Sequence, residues 1–476
     1  MRTVVVGRWL CGLWLVWTGL VCAQASPEVG RMTASELDVS FAHFLPPIFR
    51  VVLMTALCIL GFAMDLQVLQ YWDMNIFLGA GPTLLPSVSV GRTSSRAMAA
   101  NSGAMALYLL ALCHVAWATF CWLMYRFHVD ASTGARTMYS QAWEVATLAG
   151  LLALWMIPGP FRHMLRTWNR TLVRLLTPSL RVSVSFTDVV AADILTSFAK
   201  VLGDVWISLV VLTCFLLGRR ADDSVLLRAE MSIAVPMLIS VPYLIRLRQC
   251  LCEYVVSSQR PRRPLYNALK YLSSLPVIWL RVTPTLLHAS PALSRMFNWI
   301  WYVCVLVNTL FSFWWDVTND WGLDLLQIHS FRAMVAEPRA HLPVLHRRSS
   351  VIDTDLTSSA PPSSDFRSPV SGDTTGDTGT DGNAFVRRHT RRASLLRRPE
   401  KPLPLPTTVY WVFLVVNLFL RFTWSLKLSS HWQFLVEWQR GLLLLEALEI
   451  VRRSVWVLLR VEWELVRQSP SELWGL

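Results

Sequence analysis

Apolar residues in this 476-residue chain gather in long runs rather than in the strict alternation of half-buried strands. About 20 apolar residues carry a helix through ~30 Å of hydrocarbon. Runs of that order lie near residues 46–68, 98–124, 139–159, 188–217, 230–250, 265–282, 296–316, 408–426 and 434–460. They predict an all-α fold, a polytopic membrane bundle of about nine transmembrane helices. A further run opens the chain, "MRTVVVGRWLCGLWLVWTGLVCAQAS", with Arg2 and Arg8 before an apolar centre and Ala23-Gln24-Ala25 at its end. That order of charge, apolar core and small-x-small residues is the pattern of a secretory signal. Residues 1–25 are read as a signal peptide, with an uncleaved first helix as the alternative.

The polar segments between runs set the topology. Residues 161–187 hold Arg162, Arg166, Arg170, Arg174 and Arg181, and the segment after the fifth run holds Arg248, Arg260, Arg262 and Arg263. Basic loops stay on the cytosolic side, which leaves residues 26–45 in the lumen and the C-terminus in the cytosol. The chain divides into N-terminal transmembrane helices (46–160), a first core part (161–330), a loop (331–407) and the last helices with the cytosolic C-terminus (408–476). The i, i+4, i+8 spacing of Arg162, Arg166 and Arg170 predicts an amphipathic helix against anionic headgroups, or a plain connector with membrane-adjacent charge. Residues 331–407 are rich in Ser, Thr, Pro, Gly and Asp and offer little to bury, so disorder is expected. Seven basic residues and one acidic residue between Arg387 and Lys401 put this loop in the cytosol. Its three Arg-Arg-x-Ser/Thr stretches make Ser350, Thr390 and Ser394 candidates for phosphorylation.

Several runs carry charge. Ionisable groups in a bilayer cost several kcal/mol unless paired or hydrated, so each is a candidate for function. Asp193, Ser197, Lys200 and Asp204 follow one another at i, i+4, i+7, i+11, with Thr196 beside them. Asn267, Lys270, Tyr271 and Ser274 form a second polar face, Asp316 and Asp320 stand one turn apart, and Asn417, Arg421, Trp424 and Ser425 share a side. In the last run Glu449 lies three and four residues before Arg452 and Arg453. Taken singly, each is an ion pair or an interfacial anchor, and Lys200 has Asp204 as its obvious partner. Taken together, the stripes converge five cations. Guanidinium forks grip oxyanions in pairs of hydrogen bonds and lysine adds a point charge. The ligand such a set fits is a small tetrahedral oxyanion, with the carboxylates stabilising the empty site.

Composition agrees. A hydrophobic fraction of 54% and 23 tryptophans exclude an ordinary soluble domain, as does a mean hydropathy of +0.42. The net charge of +13 sits largely in alternate loops and implies membrane topology, not nucleic acid. Nine cysteines form neither a disulfide framework nor a metal-ligand spacing. No phosphate-cradling glycine loop, HExxH or nucleophile elbow is present, so neither metal nor cofactor, nor enzymatic activity, is expected.

The order of "LIRLRQCLCEY", "NALKY", "WDVTNDWGL", "LRFTW" and "LEIVRRSVWVLLRVEWE" resembles the EXS family over residues 150–476, and less clearly back to residue 46. The resemblance implies phosphate export through a helical bundle. Carried over position by position, the phosphate pathway would comprise Asp193, Thr196, Lys270, Tyr271, Asp316, Asp320, Arg421, Trp424, Arg452 and Arg453, supported by Asn267 and Glu449. Thr196 replaces the Asn of the large family members, and Leu269 and Leu272 replace the Gly and Ser around their Lys-Tyr. The long members begin with a regulatory SPX domain; this chain has about 45 largely secretory residues there, as in the short yeast ER-retention-defective member that acts at the Golgi. The expectation is a Golgi membrane protein with inorganic phosphate and membrane lipids as partners, and a homodimer and Golgi sorting machinery as further candidates. Two other readings compete: a sorting scaffold that retains Golgi enzymes, and an intramembrane enzyme holding Mg²⁺ on Asp316 and Asp320.

Overall fold

The computed structural model describes residues 43–71, 93–129, 136–156, 162–177, 179, 184–257, 261–326, 396–397, 405–423 and 439–468. The signal peptide, Trp424, Ser350, Thr390, Ser394 and nearly all of the 331–407 loop lie outside these residues. Thirteen α-helices follow in order among the described residues: α1 Pro47–Tyr71, α2 Thr93–His128, α3 Met138–Met156, α4 Arg162–Leu176, α5 Phe186–Ser197, α6 Ala199–Leu216, α7 Asp223–Glu230, α8 Ala234–Val256, α9 Arg263–Leu272, α10 Ser274–Leu286, α11 Pro291–Trp315, α12 Thr407–Arg421 and α13 Gln439–Gln468. Each expected span is met by a helix or by a broken pair. Five described stretches are long and apolar enough to cross a membrane by themselves.

What faces outward identifies the solvent. Trp299, Val303, Leu306 and Leu310 recur at helical spacing on α11 and are all exposed, as are Val412, Val415 and Phe419 on α12 and Leu109, Leu112, Phe120 and Leu123 on α2. Charged groups such as Asp193, Arg246, Asp316 and Arg452 are buried instead. A water-soluble bundle would bear an aggregation-prone surface with this arrangement, whereas a bilayer solvates it. The chain is an integral membrane protein.

Two layers organise the bundle. Helices α5, α8, α9 with α10, α11, α12 and α13 contact one another in that order, and α13 returns to α5, closing a ring. Helix α1 lies outside the ring, packed on α2, α3, α6 and α13. Its Leu53, Met54 and Leu57 join Trp122 and Tyr125 of α2, Val201 of α6, and Leu443, Ala447 and Ile450 of α13 in one apolar cluster. Gly61 permits this closeness, because a Cβ there would run into Ser454 of α13.

Loop contacts sort the two ends. At one end His43 lies 3.2 Å from Asp223, and Gln141 hydrogen-bonds to the 219–221 turn. At the other, Arg174 pairs with Asp188 at 2.8 Å, Arg248 donates to the Leu175 carbonyl at 3.0 Å, and Arg263 donates to that of Asn319 at 2.9 Å. We call the second the basic end; helix directions alternate between the ends as the loop charges predict. Helix α4, the expected amphipathic helix, lies there with Trp168 and Leu172 against Ala191, Ala192 and Ile245. Its Val173 and Leu176 are exposed.

One contact at the basic end is unusually complete. Arg397 donates to both oxygens of Glu462, at 2.9 and 3.1 Å, and to the Trp321 carbonyl at 2.7 Å. Tyr410 donates to the same carboxylate at 3.0 Å, and the guanidinium lies 4.9 Å from the Trp463 ring centre. Gly322, at φ +60°, lets the chain turn beneath Trp463, where any Cβ would collide with the indole. Removing one member of a buried pair strands the other charge, at a cost of about 3–5 kcal/mol. Arg397→Ala should therefore lower the melting temperature of detergent-purified protein sharply, and Arg397→Ala with Glu462→Ala should cost less than the sum of the two single changes. Strict additivity would show that the pair is not coupled.

Candidate functional site

Inside the ring is a cavity of about 220 Å³, lined among others by Asp193, Thr196, Tyr243, Lys270, Tyr271, Asn308, Ser312, Asp316, Arg421, Glu449, Arg452 and Arg453. One water needs about 10–15 Å³ of such space, so an oxyanion fits here together with water. Four cations (Lys270, Arg421, Arg452, Arg453) against three carboxylates (Asp193, Asp316, Glu449) leave the lining with a formal charge of +1. Asp193 stands seven residues into α5, about 10 Å from its basic end at 1.5 Å per residue.

Breaks in the helices build this cavity. The helical path from α5 to α6 is interrupted at Phe198, and that from α9 to α10 at Ser273. After α11 the chain widens into a π-turn over Asp316–Asp320, with Trp321 N–H donating to the Asp316 carbonyl at 2.9 Å. Irregular backbone at membrane depth is tolerated where it lines a polar cavity, and π-turns concentrate at functional sites. The π-turn also corrects an expectation. Asp316 and Asp320 do not present one acidic face: Asp316 looks into the cavity, whereas Asp320 lies behind it, 3.8 Å from Lys270 and 3.9 Å from Arg460.

The cations fall into two kinds. Arg421 donates to Asp316 through Nε at 3.0 Å and through Nη2. Arg452 grips Glu449 through two nitrogens, reaches Asn417 Oδ1 at 3.3 Å, and lies 3.8 Å from Asp316. Both are held by carboxylates. Arg453 instead donates to two hydroxyls, Ser197 at 3.0 Å and Thr196 at 3.1 Å, and among the described residues no carboxylate lies within 4.0 Å of it. The Lys270 ammonium makes no hydrogen bond to any described residue; its nearest carboxylate is Asp320, in a long ion pair of 3.8 Å, and its Nζ sits 4.6 Å from the Tyr271 ring centre. Lys270 and Arg453 therefore retain donors for a ligand.

Asp193 has a different partner from any anticipated. Arg246 of α8 donates to its Oδ1 at 3.0 Å, and Tyr271 donates to the same oxygen at 2.6 Å. Gln249 accepts from Arg246 and donates to the Asp188 carbonyl at 3.0 Å. Arg246 and Gln249 were legible as an i, i+3 polar pair inside an apolar run, as were Asn308 and Ser312 at i, i+4. Asn267 does not line the cavity; its Oδ1 is enclosed without a partner among the described residues. Lys200 does not pair with Asp204, which lies 3.3 Å from Arg50 of α1. Trp424 lies outside the described residues.

A family model describing the EXS family matches residues 45–466. The chain belongs to the EXS family. The match extends the resemblance through the N-terminal helices, to the start of α1. Among relatives, Protein ERD1 homolog 1 of Schizosaccharomyces pombe is 23% identical over 305 residues, 63% of this chain and 62% of that one. Protein ERD1 of Saccharomyces cerevisiae is 32% identical over 153 residues, 32% of this chain and 37% of that one. The SPX and EXS domain-containing protein 1 of Dictyostelium discoideum is 28% identical over 169 residues, 34% of this chain and 17% of that one. The chain thus spans about three fifths of the length of the S. pombe relative. In this EXS chain the motif-bearing helices α8, α9, α11, α12 and α13 all belong to the ring, which α5 and α10 complete.

Tyr271 supplies the hydroxyl donor on Asp193, at a residue only 2% exposed. Tyr271→Phe should cost about 1.5–3 kcal/mol, the net worth of a hydrogen bond to a charged group, since Arg246 still donates to that oxygen. The fall should appear as a lower melting temperature, and an unchanged one would remove this hydrogen bond from the account.

Proposed function

We propose that this EXS protein is an inorganic phosphate transporter of the Golgi membrane that moves phosphate from lumen to cytosol through the cavity between its ring helices. The observation that carries the reading is the pairing of two carboxylate-held cations with two that keep donors, Lys270 and Arg453, around one enclosed polar space. Phosphate enters as an anion whose oxygens take the free donors first. The hydroxyls of Thr196 and Ser197 and the amide of Asn308 orient the remaining oxygens. Asp316 and Glu449 keep Arg421 and Arg452 neutralised when the site is empty, and they compete with the bound anion for those arginines. Binding strong enough to admit an ion yet divided among several partners is what conduction requires. The Golgi assignment rests on the family's short yeast member, and the direction on the release of phosphate in the lumen by glycosyl transfer.

Each free donor set is worth about 1.5–3 kcal/mol as a hydrogen bond to a charged group, or roughly ten- to a hundredfold in rate. Lys270→Ala and Arg453→Ala should each reduce labelled-phosphate flux from proteoliposomes by that factor, with sulfate as the competitor that reports selectivity. Flux that is equal in wild type and both variants would refute the site. Flux in none of them, with Golgi enzymes mislocalised when residues 331–407 are deleted from the protein in cells, would favour the sorting scaffold.

A further inference from the structure

The cavity does not use every buried charge. Between α1, α6 and α13, on the side of α13 toward the end opposite the basic one, lies a second polar cluster. Arg50 of α1 stands 3.3 Å from Asp204 of α6, and Glu446 of α13 has Asp204, Lys200 and Arg50 as its charged neighbours. Arg50, Asp204 and Glu446 are 7%, 3% and 9% exposed. One atom there, Glu446 Oε2, is enclosed and meets no hydrogen-bond partner among the described residues, whereas Arg50 Nε and Asp204 Oδ2 answer each other in the 3.3 Å ion pair. No cation comes within 4.0 Å of Glu446 among those residues. A carboxylate placed so in a membrane interior is far from any compensating donor, and taking up a proton is the simplest relief.

The cluster adjoins the cavity. Glu446 stands one turn of α13 before Glu449, and Lys200 stands one turn after Ser197, which donates to Glu449 at 2.9 Å and accepts from Arg453. In the other direction Ser208 lies one turn beyond Asp204 and lines a small cavity with Glu144 of α3. That cavity, about 10 Å³, approaches the space one water needs. Glu144 Oε1 lies 3.7 Å from Arg136 Nε, at the end opposite the basic one, and Arg136 Nη1 has no hydrogen-bond partner among the described residues. This file of buried polar groups leads from that end to Glu446.

We propose that Glu446 is a proton-binding site, fed along this file and coupled to oxyanion occupancy of the adjacent cavity. The proposal rests on the transport reading above and names a second transported ion. A proton joins the Glu446 carboxylate to give a neutral carboxyl when the anion is bound, and leaves as the anion departs; no other bond changes. The charged groups facing Glu446 are Arg50 from α1 and Lys200 and Asp204 from α6, with Glu449 one turn along its own helix. Removing its negative charge raises the potential at the cavity, so proton and anion each favour the other's binding by the same factor. The cluster is thus a coupling device for proton–oxyanion symport.

The test uses full-length protein in proteoliposomes containing a pH-reporting dye. An imposed phosphate gradient should move protons in the wild type beyond those that phosphate carries as its own weak acid, the excess being read against labelled-phosphate flux measured in parallel. Glu446→Gln, which mimics the protonated side chain, should cut that excess about tenfold or more, on the scale of typical couplings, while phosphate–phosphate exchange continues. An equal excess in wild type and variant overturns the proposal. Arg453→Ala should lose exchange and proton movement together, which separates failure of the anion site from failure of coupling. Infrared titration reads the site without any transport: a protonated-carboxyl band should be present in wild type and lose intensity in Glu446→Gln, and an undiminished band in that variant overturns the assignment. A wild type without that band overturns the proposal even if phosphate exchange is absent.

Discussion

The constraint on which this structure depends is the cost of ionised groups inside hydrocarbon. An isolated charge there is expensive, yet four cations line one cavity. They are retained because nearly every neighbour answers them. Arg421 and Arg452 share Asp316, Glu449 and the amide of Asn417. Behind the lining, Arg246 and Tyr271 converge on Asp193. The breaks at Phe198 and Ser273 belong to the same solution: short half-helices bring hydroxyls of Thr196 and Ser274 to the cavity, and that of Ser197 to Glu449 and Arg453 on its wall, at little cost, since the loosened backbone faces a polar space and not lipid.

This arrangement separates holding from binding. Arginines bound bidentately by carboxylates are rigid parts of the wall, and an arriving anion must compete for them. Lys270 has a long ion pair with Asp320 and Arg453 only hydroxyl partners, so a ligand gains their hydrogen bonds without displacing a closely bonded carboxylate. The formal +1 of the lining is a compromise as well. A larger surplus would trap an anion, and a deficit would repel it. Net affinity here is set by the number of cations left unpaired more than by the number present.

Much of this was legible, for a definite reason. Helical periodicity puts i, i+4, i+7 residues on one side, so stripes with Asp193, Arg421 and Arg453 point inward from spacing alone, although the first runs on through Lys200 to Asp204, which do not line the cavity. The nine runs were equally legible, because a bilayer demands one length of apolar helix. Partner choice was not. Asp204 sits four residues from Lys200 on one helix yet pairs with Arg50 from a helix 150 residues earlier in the chain, since adjacency along a helix does not set which side chain meets it across an interface. The π-turn carries no spacing signature, so Asp316 and Asp320 appeared to share a face that the extra residue in the turn destroys. Asn267 was misassigned because α9 is short and its polar positions spread over more than the cavity side. Arg246 was overlooked beside the more obvious topogenic Arg248.

Helix α13 ties the parts together. It carries Glu446 in the second cluster, Glu449, Arg452 and Arg453 at the cavity, and Glu462 in the Arg397 clasp at the basic end. Arg397 also holds the carbonyls of Trp321 and Gly322, immediately after the π-turn that aims Asp316. A displacement of α13 along its axis would therefore act on two sets of buried ion pairs and on Glu446 at once, while α1 packs against it through Gly61 with no spare room. Close-packed interfaces of this kind shift between discrete arrangements rather than deforming smoothly. The breaks that open the cavity lie in α5–α6 and α9–α10, on the ring and not on α13. The relative freedom in the molecule thus belongs to the half-helices that carry Thr196, Ser197, Lys270 and Tyr271, and the fixed reference against which they act is the helix bearing the arginine pair.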